Sequence, residues 1–144
     1  MKLPCLALAL AALAATVTVA QTPAAAVQTE TEAPPTLDEL IWVARPLVVF
    51  ADSPNDPRFQ QQLRMLDERI NDLTDRDVVV LTDSAPDAAG PLRTALRPRG
   101  FGVVLIDRDG SVVRRFPTPV SAREIVNQID RLPSRREETG SRRP

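Results

Sequence analysis

Histidine and tyrosine are absent from this 144-residue chain, and cysteine occurs once. Without histidine no zinc site of the His/Cys kind can be assembled, and no Ser-His-Asp triad can form. Lys2 is the only lysine among 18 basic residues, so the other 17 are arginines. A P-loop lysine, a Schiff-base lysine and a Ser-Lys dyad disappear with Lys2 if the N-terminus is removed. Four phenylalanines and one tryptophan are the only aromatic residues, which leaves few rings for stacking on bases or sugars. The formal net charge of −1 provides no general attraction to nucleic acid or anionic lipid.

Apolar residues are concentrated first at the N-terminus. After Met1-Lys2, Leu3 to Val19 is apolar apart from Thr16 and Thr18, and Thr18 and Ala20 stand at the −3 and −1 places of a cut before Gln21. This is the layout of a secretory signal peptide over residues 1–20, and Ala24-Ala25-Ala26 offers a second cleavage point. The expected location is therefore secreted or periplasmic, with no membrane span left after cleavage. Cys5 precedes the apolar stretch, where a lipid-bearing cysteine would follow it. It leaves with the leader, so the mature chain is expected to have neither a thiol nor a disulfide. Residues 21–35, rich in Gln, Thr, Pro, Ala and Glu, read as a flexible linker. Residues 134–144 contain no aliphatic residue and read as a disordered charged tail. The folding unit is expected over residues 36–133, enough for one small core.

Within that unit Thr36-Leu37-Asp38-Glu39 is a capping box, and a short helix is expected to about Ala44. Leu47-Val48-Val49-Phe50, Val78-Val79-Val80-Leu81 and Val103-Val104-Leu105-Ile106 are continuous apolar runs, as in strands buried on both faces. Between the first two, Asp56 can cap and Pro57 can start a helix. Phe59, Leu63, Leu66, Ile70 and Leu73 recur there at helical spacing. Pro91 to Leu96 suggests a short helix. Asp107-Arg108-Asp109-Gly110 reads as a hairpin into a fourth strand, Ser111 to Phe116, and Ser121 with Glu124 opens a last helix that Pro133 stops. Two buried strands joined by a long helix imply a parallel βαβ unit. The expected fold is α/β and similar to thioredoxin, with a four-stranded mixed sheet flanked by helices.

Phe101 to Gly110 looks like the strand-hairpin of peroxiredoxins. Arg45-Pro46-Leu47-Val48-Val49-Phe50-Ala51, the Asp-Gly hairpin, and Ile129 to Glu137 together resemble a family of secreted domains, the domain-of-unknown-function family 4174. The resemblance covers about Leu37 to Glu138. It implies a thioredoxin-like domain of bacterial envelopes and some animal extracellular matrix proteins, with no settled activity. Redox-active thioredoxin relatives carry the catalytic cysteine in the loop after the first strand; here that loop, Asp52 to Pro57, has none. Pro98 stands before the third strand, as the thioredoxin cis-proline does, and its isomer is open.

The residues offer no catalytic site and no cofactor site. No metal is expected; Asp52, Ser53, Asn55 and Asp56 gather oxygens at one strand-to-helix junction and are the one weak candidate loop, but turn and cap chemistry accounts for them without a cation. Asp107-Arg108-Asp109-Gly110 fails as a calcium loop. With Gly110 at position six, the terminal ligand positions fall on Leu105 and Phe116. Arg97, Arg99, Arg114 and Arg115 form a possible partner patch near the third and fourth strands, and Trp42 is expected to pack the first helix on the sheet. The expected role is non-catalytic, a protein-binding or assembly module of the cell envelope with an unknown protein partner and no nucleic acid. The alternatives are an enzyme (a degenerate thiol or peroxide reductase, or a carboxylate-based hydrolase) and a structural envelope component.

Overall fold

Six consecutive buried residues, Arg45–Phe50, make strand β1, and the rest of the domain is arranged around it. The computed structural model describes residues 35–141. The expected leader with Cys5, nearly all of the expected linker and the last three residues lie outside them. β2 (Val78–Asp83) pairs parallel to β1, β3 (Gly102–Ile106) pairs antiparallel on its other side, and β4 (Val112–Phe116) pairs antiparallel beyond β3. The sheet order is β2-β1-β3-β4. A parallel pair needs a long crossover, and α1 (Pro57–Asp67) with α2 (Ile70–Thr74) provides it. α3 (Pro91–Leu96) leads into β3, while α4 (Ala122–Asp130) and α5 (Pro133–Ser141) follow β4. This is the expected α/β fold, a four-stranded mixed sheet flanked by helices.

Strand alternation divides the core into two layers. Leu47 and Val49 face Phe59, Leu66, Leu73, Ile125 and Ile129 from the helices of one side. Val48 and Phe50 face Leu40, Leu92 and Leu96 on the other. A strand covered on both faces is apolar except where a buried polar group finds partners, which is why Leu47–Phe50 of β1 and Val103–Ile106 of β3 read as unbroken apolar runs.

Four local expectations are corrected. The capping box forms, with Thr36 N–H donating to Glu39 Oε2 at 2.8 Å and Glu39 N–H to Thr36 Oγ1 at 3.4 Å. It opens a single 3₁₀ turn, Asp38–Leu40, rather than a helix to Ala44. Trp42 ends the segment in the left-handed region, at φ 62°, with its N–H bonded to Arg108 O at 2.6 Å. That conformation turns its side chain outward, so Trp42 is 71% exposed rather than packed on the sheet. The expected long helix breaks at Glu68-Arg69. There Arg69 has φ −136° and ψ 36°, and the new phase leaves Ile70 exposed while Leu73 stays buried. One of the three buried positions of α1 is Gln62, which follows Phe59 by three residues. Its amide donates to Val120 O at 2.9 Å and accepts from Val120 N–H at 2.8 Å, tying α1 to the segment before α4.

The fourth correction concerns residues 134–144. Pro133–Ser141 is helix α5, not a disordered tail. Arg45, at the first position of β1, is fully buried, and a buried guanidinium needs paired acceptors. Its Nε donates to Asp107 Oδ1 at 3.0 Å, and its Nη2 donates to Glu138 Oε1 at 2.6 Å and to Ser134 Oγ at 3.2 Å. Arg108 and Arg135 each bond Glu138 at 3.2 Å. Burial alone would raise the Glu138 pKa, but the hydrogen bonds from Arg45, Arg135 and Arg108 outweigh it and hold the carboxyl down at about 2. α5 is held in place because the Glu138 carboxylate completes the pairing of a charge buried inside the sheet. Among the described residues, no helix is long and apolar enough to cross a membrane.

Candidate binding surface at the carboxyl end of the sheet

In open α/β sheets, ligands gather at the carboxyl ends of parallel strands. Here β1 ends at Phe50 and runs through Ala51 into the loop Asp52 to Asp56. The loop is closed by its own bonds. Ser53 Oγ accepts from Asn55 N–H at 3.2 Å, and Asp56 Oδ1 accepts from Arg58 N–H at 2.9 Å as the cap of α1. The Arg58 guanidinium also bonds both Asp56 oxygens, and these contacts hold the Asp56 pKa below the usual carboxylate range. Asp56 is therefore committed to Arg58 and the helix cap. Among the described residues, no cluster of three or more His, Cys, Asp or Glu side chains is placed to hold a metal ion.

Arginines surround the phenylalanines of this end. Arg58 lies over Phe101 with its guanidinium carbon 5.2 Å from the ring centroid, Arg93 over Phe50 at 5.6 Å, and Arg114 over Phe116 at 5.5 Å. Such stacks hold the cations in place through the ring quadrupole. Arg93 also bridges Asp83 at 2.9 Å and donates to Ala51 O, which joins α3 to the ends of β1 and β2.

Beside the loop lies a groove of about 470 Å³. Phe50, Phe101 and Phe116 contribute to its apolar lining, and Arg97, Arg99 and Arg115 to its charge. Arg97 is held in the left-handed region at φ 47°, as the residue that ends α3. Arg115 crosses to donate to Leu96 O at 2.9 Å. The structure thus brings together three of the four arginines expected as a patch. Arg114 is separated from them by the sheet. Arg115 is registered with Val104, on the α3 face, whereas Arg114 is registered with Leu105, on the α1 and α4 face. Adjacent strand residues point to opposite faces, and a grouping by sequence proximity overlooks that. Among the described residues, none of these four arginines has a carboxylate within ion-pair distance. No cis peptide bond occurs among the described residues, so the bond before Pro98 is trans and the parallel with the thioredoxin cis-proline ends there.

Comparison with known proteins agrees with this architecture. The profile of a family described as a domain of unknown function (DUF4174) matches residues 36–138. No curated protein matches. Among solved structures, the chain is similar to reduced Plasmodium vivax 2-Cys peroxiredoxin at 15% identity and a TM-score of 0.56, over 72% of this chain and 84% of that one. It is also similar to Plasmodium yoelii thioredoxin peroxidase I at 20% identity and a TM-score of 0.50, over 75% and 83% of the two chains. At these identities the likeness is one of fold.

Proposed function

The chain belongs to the DUF4174 family, and from that premise we propose that it is a non-catalytic binding module of the cell envelope, exported by its N-terminal leader. One observation carries the reading. The loop at the carboxyl end of β1, where redox-active relatives keep their cysteine, contains none and is closed by turn and cap bonds. A serine at position 53 cannot replace a thiolate in disulfide exchange, and no histidine exists to activate it. The adjacent groove carries Arg97, Arg99 and Arg115 over largely buried phenylalanines, and among the described residues these arginines have no carboxylate within ion-pair distance, which leaves their charge for a partner.

Crosslinking in intact cells tests this. A photoreactive residue in place of Pro117, which lines the groove, should give a discrete adduct with an envelope protein. The same residue in place of Asn127, exposed on α4, should not. Identical adduct patterns from both positions, or none from position 117, would contradict the reading.

A further inference from the structure

We propose that the open edge of β4 receives an extended acidic segment of a partner protein, which adds as a fifth strand and places its carboxylates against Arg97, Arg99, Arg114 and Arg115. This rests on the binding-module reading and gives its partner a chemistry.

Three observations support it. β4 is an outer strand, so alternate residues turn their N–H and C=O groups away from β3, and among the described residues these groups have no other backbone partner. The second is the charge at that edge. Arg115 lies on the α3 face with Arg97 and Arg99 beside it, and Arg114 lies on the opposite face. A strand laid along β4 would alternate its side chains between the same two faces, so carboxylates on either face would meet a guanidinium. The third observation is the contrast with the other edge. β2 contains no arginine, and its one charged residue, Asp83, is already paired with Arg93, so an acidic strand would find no free guanidinium on that strand.

The same charges select against the simplest competitor, a second copy of β4. Antiparallel self-pairing would bring Arg114 and Arg115 of two chains together, and like charges across a strand pair are unfavourable. The register shift between Leu105 and Ile106 makes Val113 an extra residue in β4 and bends the edge. An incoming single strand accommodates that bend more readily than a rigid sheet does.

The test uses the leader-free protein, a synthetic octapeptide alternating Thr and Glu, and amide-resolved NMR titration. Shifts are expected to concentrate in Val112–Phe116 and Arg97–Phe101. Affinity should fall about tenfold or more when Arg97→Asn is combined with Arg99→Gln; both residues are exposed, and asparagine tolerates the left-handed backbone at 97. It should also fall severalfold between low salt and 0.3 M salt. A peptide N-methylated at alternate residues keeps its charge but cannot pair as a strand, and should lose binding. Equal binding by the N-methylated peptide, by a Thr-Lys peptide or by the double variant would overturn the proposal. So would shifts confined to β2, or dimerisation through β4 without peptide. If position 117 still captures an envelope protein under any of those outcomes, the binding-module reading stands and only the acidic-strand assignment fails.

Discussion

Replacing Glu138 with glutamine should destabilise the domain by about 2–3 kcal/mol at pH 7, although the residue is only three positions from the end of α5. The carboxylate is 17% exposed and accepts from Arg45, Arg108 and Arg135. Its pKa is held at about 2 against an ordinary 4.5, and a depression of that size corresponds to about 3 kcal/mol at roughly 1.4 kcal/mol per unit. Screening at its open side reduces the expectation toward about 2. Removing the charge also leaves the buried Arg45 with Asp107 as its only carboxylate, and breaking a buried pair costs about 3–5 kcal/mol in other proteins. The sign with pH follows from the direction of the shift. Because the folded pKa lies below the unfolded one, the Glu138 contribution is complete above about pH 4.5 and is lost as pH falls toward 2. Urea melts of the native protein and Glu138→Gln should therefore differ most at neutral pH and converge in acid. A variant within about 0.5 kcal/mol of the native protein at pH 7, or a difference that persists at pH 2, would refute the claim that α5 is fastened through Arg45.

Three substitutions probe the helical layer, and a mass measurement probes the proposed leader. Leu66→Ala should cost about 2–5 kcal/mol in urea melts, the range for a buried leucine, while Met65→Ala, off the buried stripe, should cost much less. Equal losses would mean that the phase of α1 is wrong. Gln62→Ala leaves both the N–H and the C=O of Val120 without their partner, and about 1–3 kcal/mol should be lost. Accelerated amide exchange at Val120 is the matching signature, and unchanged exchange would contradict it. Intact-mass measurement of the native protein should show a start near Gln21 or Val27, and a mass retaining Met1 would contradict removal of the leader.

The strands and the helix α3 were legible because burial on both faces leaves a simple mark, an unbroken aliphatic run closed by proline, glycine or aspartate. Gln62 carries no such mark, because polarity ordinarily signals exposure, yet its place three residues after Phe59 puts it on the inner stripe. The order of α5 is hidden in the sequence for a related reason. Its charged residues read as solvated, and the signal lay 93 residues away in Arg45, a charge opening a strand otherwise apolar on both faces. Long-range ion pairing of this kind leaves no local periodicity. The arginine groove was half legible. Sequence proximity gathered four residues, and the alternation of β4 then assigned Arg115 to one face of the sheet and Arg114 to the other. Trp42 gave no usable signal, since nothing in Ile41-Trp42-Val43 announces a left-handed backbone.

The central claim, that this thioredoxin-like domain binds rather than reacts, is tested most directly by turnover measured on the purified leader-free protein. In a chain beginning near Gln21, Met65 would be the only sulfur, and a thioether can be oxidised to its sulfoxide but cannot cycle as a dithiol. Insulin disulfides should not be reduced in the presence of dithiothreitol above the rate of dithiothreitol alone. Peroxide should be consumed at most once per chain, with a matching gain of one oxygen in mass at Met65. Sustained turnover of disulfide or peroxide, many equivalents per chain in metal-free protein, would contradict the account.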